Sequence, residues 1–101
     1  MIGRRAVSML SLARRAGKLI SGEDTVLMSL RDRTCALVII AEDASDNTKK
    51  KVLSRAGSQH IECLVTGSRQ ELSSAVGMYN RTVFAVMDST FAQKIKTELL
   101  L

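Results

Sequence analysis

The run Leu37-Val38-Ile39-Ile40-Ala41 is apolar at five successive positions, with no polar residue to mark a solvent-facing side. Successive strand residues point to opposite faces, so such a strand needs apolar cover on both sides and belongs inside a layer flanked by helices. The chain then turns polar and basic, through Glu42-Asp43-Ala44-Ser45 into Asp46-Asn47-Thr48-Lys49-Lys50-Lys51. Ser45 or Asp46 can cap a helix that begins there, which brings amide donors and ammonium groups to the C-terminal end of a strand. Open α/β sheets place their ligands at that end.

The remaining pattern alternates helix and strand. Ile2, Ala6, Met9, Leu10 and Ala13 share one helical face, and Arg4, Ser8, Ser11 and Arg15 the other, which predicts an amphipathic helix stopping at Gly17. A short strand Lys18 to Ile20 follows, and Ser21 is the expected cap of a second helix buried through Val26, Leu27 and Leu30. After the strand Ala36 to Ala41 come a helix from Asp46 to Ala56 ended by Gly57, and a strand Ile61 to Val65. Ser68-Arg69-Gln70-Glu71 reads as a capping box for a helix over 69–76, closed by Gly77. Val83 to Met87 is the last strand, and Phe91, Ile95 and Leu99 at spacing four form the stripe of the last helix. Five helices alternating with four strands predict an α/β fold, a three-layer helix-sheet-helix sandwich around a mixed sheet.

At 101 residues the chain fits one domain, 1–101, with a single core. Fifteen Lys and Arg against ten Asp and Glu give a net charge of +5, which favours an anionic partner. Cys35 and Cys63 stand apart with one histidine, His60, in the whole chain, so no metal or disulfide is expected and both thiols read as small hydrophobes of a reducing compartment. No phosphate-binding or dinucleotide fingerprint occurs, and no cofactor is expected. Arg14 and Arg15 interrupt the first apolar run before it could cross a membrane, so a cytoplasmic protein is expected. The only aromatic residues are Phe84, Phe91 and Tyr79, a poor supply for a base-stacking platform.

Candidate catalytic groups are few. His60 precedes a strand with no evident partner, and Glu42 and Asp43 at a strand end should point to opposite faces. The reading is therefore of a protein that is not an enzyme. Binding features are better supplied. With Val52 and Ala56 inward, Lys49 shares their helical face and projects from the rim of the core. Arg14, Arg15 and Lys18 lie just before the second helix, whose amino end at Gly22, Glu23 and Asp24 exposes donors suited to phosphate or base acceptors. If RNA binds there, Glu23 and Asp24 face bases and the cations face the backbone.

Taken together, Arg14-Arg15-Ala16-Gly17-Lys18-Leu19, Ser21-Gly22-Glu23, Ala36 to Ala44, Asp46-Asn47-Thr48-Lys49-Lys50-Lys51 and Thr66 to Gly77 resemble the ribosomal L-seven-Ae/L-thirty-e family of kink-turn RNA binders, most closely its bacterial YlxQ-like branch. The resemblance covers most of the chain and implies the sandwich already read from the pattern. It also implies that the start of the second helix enters the major groove of a kink turn and bonds the guanines of tandem sheared G·A pairs, while two loops close over a flipped nucleotide. Gly22 falls at the motif's glycine, Asp24 at its asparagine, Thr25 at its glutamate and Met28 at its lysine, a departure at three of four positions. Ser45 and Lys49 fall where the family contacts the flipped nucleotide, and Met78 where an apolar loop residue packs on RNA.

The resulting expectation is a non-catalytic binder of structured RNA with a kink turn, ribosomal RNA among the candidates, with no DNA or membrane partner. Phosphate contacts are assigned to Arg14, Arg15, Lys18, Lys49 and Arg81, base contacts to Gly22, Asp24 and Thr25, with Met78 as an apolar wedge. The alternatives are a protein-interaction module that keeps the fold without kink-turn recognition, and a small enzyme that would need His60 buried beside a carboxylate.

Overall fold

The computed structural model describes residues 1–101. The elements in order are α1 (Arg4–Arg15), β1 (Leu19–Ser21), α2 (Glu23–Arg31), β2 (Leu37–Ile40), α3 (Asp46–Ser58), β3 (Cys63–Val65), α4 (Arg69–Ala75), β4 (Val83–Val86) and α5 (Ser89–Leu99). The strands make one sheet in the order β1-β4-β2-β3. β2 and β3 are parallel, joined by α3, and β4 runs antiparallel to both β1 and β2. The mixed sheet thus sends the C-terminal ends of β1, β2 and β3 to the same end as the start of β4.

Strand alternation divides the core in two. Leu37, Ile39, Phe84 and Val86 pack against Leu10 and Ala13 of α1, Leu72 of α4 and Ile95 of α5. Val38, Ile40, Val83 and Ala85 face the other way, against Val26 and Leu30 of α2 and Val52 and Ala56 of α3. Every residue of β2 and β4 is buried, as the unbroken apolar run requires. Helices cover both faces, which is the expected three-layer sandwich. No helix is long and apolar enough to cross a membrane.

Several boundaries differ from the sequence pattern. Glu42 and Asp43 lie beyond β2, which ends at Ile40, so strand alternation does not govern their directions. The expected strand over 61–65 shortens to Cys63–Val65, and the first strand shifts to Leu19–Ser21. Gly57 does not end the third helix, which runs to Ser58. The stop is made instead by His60 at φ 58°, with its N–H donating to the Gly57 carbonyl and the Ile61 N–H to that of Ala56. This is a Schellman closure with histidine in the left-handed position that glycine usually takes. The same pair of bonds closes α2 around Arg33, at φ 58°. His60 is exposed there, which places it at a helix end rather than in a site with a carboxylate.

Burial pushes the Cys63 thiol up to about 11, so it stays protonated and inert at neutral pH, and both cysteines are free. A left-handed non-glycine residue costs roughly 1–2 kcal/mol, part of which glycine returns as lost chain entropy. His60→Gly is therefore expected to raise the unfolding free energy by about 0.5–1 kcal/mol, measured as an upward shift of the urea midpoint at unchanged slope.

Candidate functional site

The shared end of the sheet is where the polar chemistry collects. Ser21 pairs with Phe84 at the end of β1, and the chain then turns through Gly22 at φ 105° and ψ 140°, a conformation that only glycine holds without strain. The Gly22 N–H donates to the Val83 carbonyl at 2.9 Å. Gly22, and not Ser21, is thus the N-cap of α2, because β1 extends through Ser21 and holds it in the sheet. A glycine has no side chain to cap with, and the N–H groups of Glu23, Asp24 and Thr25 meet no acceptor within the chain. The positive end of the α2 dipole is therefore open to solvent.

Arg81, just before β4, lies across this turn. A Cβ on Gly22 would come to 2.9 Å from its Nη1, a clash that the long Arg81 side chain could relieve by shifting, so it is the backbone conformation that calls for glycine here. The Ser73 hydroxyl donates to the Arg81 carbonyl at 3.0 Å and accepts from its N–H at 2.8 Å, which pins the backbone that carries the cation. Arg14 from α1 reaches the same place, its Nη2 3.6 Å from the Met78 sulfur. Arg14, Ser21, Thr25, Met78 and Arg81 line a groove of about 290 Å³ over Leu19 and Ile20.

On the other side, Glu23 joins α2 to α3. Its Oε1 accepts from the Thr48 hydroxyl at 2.7 Å and its Oε2 from Lys51 Nζ at 2.9 Å. Ser45, the N-cap of α3, accepts from the Thr48 N–H at 3.1 Å, so the capping residue and the bridge form one chain of bonds. The Lys51 bond and then the Thr48 bond hold the Glu23 carboxyl below its usual range, while Glu23 pushes Lys51 up. Lys49, half-buried on the face of Val52, has no ion-pair partner and remains available at the rim.

A third bridge gathers the loops. The Asp43 Oδ1 accepts from the Arg69 N–H at 2.8 Å, and Arg69 Nη2 donates to the Asp43 carbonyl at 2.7 Å. The Arg69 Nη1 also donates to Asn80 Oδ1 at 3.3 Å, so one guanidinium ties the loop after β2 and the loop before β4 to the start of α4. The bond from the Arg69 N–H dominates in holding the Asp43 carboxyl below its usual range. The capping box is complete, with Ser68 accepting from Glu71 N–H and Glu71 from Ser68 N–H.

This geometry can be set beside known proteins. The description "Ribosomal protein L7Ae/L30e/S12e/Gadd45 family" matches residues 5–96. The chain belongs to this family. It is 38 % identical over 93 residues to the RNA-binding protein YlxQ of Enterococcus faecium, a match covering 92 % of this chain and 89 % of that one. It is 39 % identical over 95 residues to the RNA-binding protein YlxQ of Bacillus subtilis, covering 94 % and 95 %. Against the large ribosomal subunit protein eL30 of Tetrahymena thermophila the identity is 30 % over 93 residues, covering 90 % of this chain and 89 % of that one. Among solved structures, a protein of unknown function from Bacillus halodurans superposes with a TM-score of 0.94 at 36 % identity, covering 98 % of this chain and all (100 %) of that one. The Giardia lamblia 15.5kD RNA binding protein shares the fold, with a TM-score of 0.75 at 16 % identity over 93 % of this chain and 84 % of its own.

Of the positions singled out by the family motif, Gly22, Asp24, Thr25 and Met28 stand on the opening turns of α2, with the last three side chains exposed. Arg14, Met78 and Arg81 gather beside them, and Ser45 and Lys49 lie across the Glu23 bridge. Two predicted members lie elsewhere. Lys18 precedes β1, roughly 13 Å of strand from Gly22, and its carbonyl accepts from Met87 at the far end of the sheet. Arg15 lines a separate groove between α1 and α4, with Ser8, Ser11 and Ser74. Glu23, expected to face a base, has both oxygens engaged by α3. Sequence reasoning missed Thr48, Lys51, Arg69 and Asn80; for Arg69 the signal was its place inside a capping box, directly after three loop residues.

The Glu23 bridge titrates. Its folded pKa is depressed, so the stabilisation is complete above the unfolded value and disappears as the pH falls through the folded one. Glu23→Gln is expected to lower the urea midpoint at pH 7, and the two midpoints should converge as the pH drops below the carboxylate range. A constant gap at all pH values would show that the effect is not ionic.

Proposed function

We propose that this protein binds structured RNA without catalysis, gripping a kink turn at the end of the sheet where α2 begins. The observation that carries this reading is the convergence of an uncapped helix start at Gly22 with two unpaired guanidinium groups, Arg14 and Arg81, and an apolar side chain, Met78, in one groove. Free amides and the α2 dipole suit acceptors on base edges or phosphate, cations suit the backbone, and an apolar residue suits the face of an unstacked base. Two bacterial relatives carry RNA-binding names along nearly their whole length, which supports the same class of partner here. The name of the Tetrahymena relative makes ribosomal RNA the first structured RNA to try.

Within this reading, Asp24 keeps an acceptor for guanine amino and imino groups, and Lys49 supplies charge toward the flipped nucleotide. Met28, 55 % exposed where the family motif has lysine, removes one cation from the exposed surface of α2. That apolar side chain favours a second reading, a protein-interaction module on the same fold.

The readings separate in one titration, with a kink-turn duplex and a twin whose G·A pairs are disrupted, at two salt concentrations. Tight binding lost in the twin supports kink-turn recognition, and equal, salt-governed binding to both overturns it in favour of the second reading. Arg81→Ala is expected to weaken binding to the intact duplex about tenfold and to reduce the slope of log K against log salt by about 1, as loss of one charge-assisted phosphate contact requires.

A further inference from the structure

Helix α1 carries Arg4, Arg5, Arg14 and Arg15 and no acidic residue. None of these arginines is ion-paired, since the salt bridges of the chain engage Arg31, Lys51, Arg69, Lys96 and the N-terminal amine. Arg14 turns toward Met78 and the groove at Gly22. Arg15 lies roughly 100° further round the helix and faces elsewhere. Arg4, Ser8, Ser11 and Arg15 thus form one outward stripe about three turns long, with Arg5 on its flank, and all three of its arginines are exposed.

Nothing inside the chain accounts for these cations. Arg4 and Arg5 stand in the first turn of α1, where the helix dipole opposes positive charge, and Gly3 supplies no side-chain cap. They weaken the helix locally and gain no ion pair in return, and a local cost left uncompensated within a fold points to a partner outside it. Between the stripe and α4 runs a groove of about 650 Å³, where Arg15 is joined by the hydroxyls of Ser8, Ser11 and Ser74 and by Val7 and Ala75. Its one carboxylate is occupied. Glu71 accepts from the N–H groups of Ile2 and Ser68, both at 3.0 Å, and has the N-terminal amine 4.0 Å away as counter-charge.

Guanidinium and hydroxyl donors along one stripe match phosphate oxygens, which accept from both. Leu12 is the one large apolar side chain that α1 exposes, too little for the apolar centre of a protein interface. Arg4 and Arg15 stand roughly 16 Å apart along the helix axis, at 1.5 Å per residue. Phosphates recur about every 3.4 Å along a duplex strand, so the stripe spans about five of them and no single nucleotide reaches both ends. We propose that the outer face of α1 is a second RNA surface. It holds the phosphate backbone of a regular duplex segment without reading sequence, so that the protein joins this segment to the RNA seated at the Gly22 groove. The proposal rests on the RNA reading of that groove only for the kind of polyanion, and not on kink-turn recognition.

The test titrates a regular RNA duplex with no internal loop against wild type, a neutral variant (Arg4→Gln, Arg5→Gln, Arg15→Gln) and a lysine variant (Arg4→Lys, Arg5→Lys, Arg15→Lys) at several salt concentrations. The neutral variant is expected to bind about tenfold more weakly and to lose about 3 from the slope of log K against log salt, one for each contact, whereas the lysine variant keeps the slope. The ratio of affinities for a kink-turn duplex and its G·A-disrupted twin is expected to stay that of wild type, because Arg14 and the Gly22 turn are untouched. Neutralising the first turn relieves its opposition to the dipole, so a thermal midpoint at or above that of wild type shows that the neutral variant folds. No binding of the regular duplex by wild type, or binding by the neutral variant with wild-type affinity and slope, overturns the α1 surface; the second result leaves an acidic protein as the partner of this face. If wild type binds the kink-turn duplex and its twin equally, the kink-turn reading falls, and the regular duplex alone decides the α1 surface.

Discussion

Burial of β2 and β4 on both faces is the condition from which the rest of the architecture follows. Eight apolar strand residues with no solvent side demand helices above and below, and burial of each Val, Leu, Ile or Phe among them contributes roughly 1.5–3 kcal/mol. Helices on both faces force each connection to leave the sheet at one of its ends. With β1, β2 and β3 pointing the same way, the starts of α2, α3 and α4 collect at one end. Three helix amino ends together make a region of positive partial charge before any side chain is considered.

The charged side chains at this end divide into paired and unpaired groups. The carboxylates of Glu23 and Asp43 are spent within the protein, one on Thr48 and Lys51, the other on Arg69, and both are held in their charged form by those bonds. Arg14, Lys49 and Arg81 have no carboxylate partner. Internal bridges therefore use one charge of each sign to fix the loops, and the unpaired cations share this end with the exposed carboxylates of Asp24, Glu42 and Asp46. Gly22 completes the arrangement by letting the α2 amides and the Arg81 guanidinium approach the same point.

Much of this was legible from local pattern. The both-face strand at Leu37–Ile40, the Ser68–Glu71 capping box and the stripe of Phe91, Ile95 and Leu99 depend on neighbours within one or two turns, and each forms as the spacing implies. Helix ends were less legible. Gly57 and His60 compete as the stop of α3, and the winning position depends on where the Ile61 N–H can return to Ala56. Ser21 looked like a cap only because nothing local says that β1 claims it first.

The division within the candidate site has the same cause. Residue types near Gly22, Ser45 and Met78 are written in the sequence, as is the family to which they belong. What the tertiary structure alone decided is which cations share a groove: Arg14 faces Met78, Arg15 one residue later faces α4, and Lys18 stands at the opposite end of its strand. The Glu23–Lys51 bridge spans 28 positions and the Arg69–Asp43 bridge 26. Local spacing sets the direction in which a side chain leaves its own helix or strand. Which partner it meets depends on how distant elements pack, and that is settled only when the two faces of the sheet are covered.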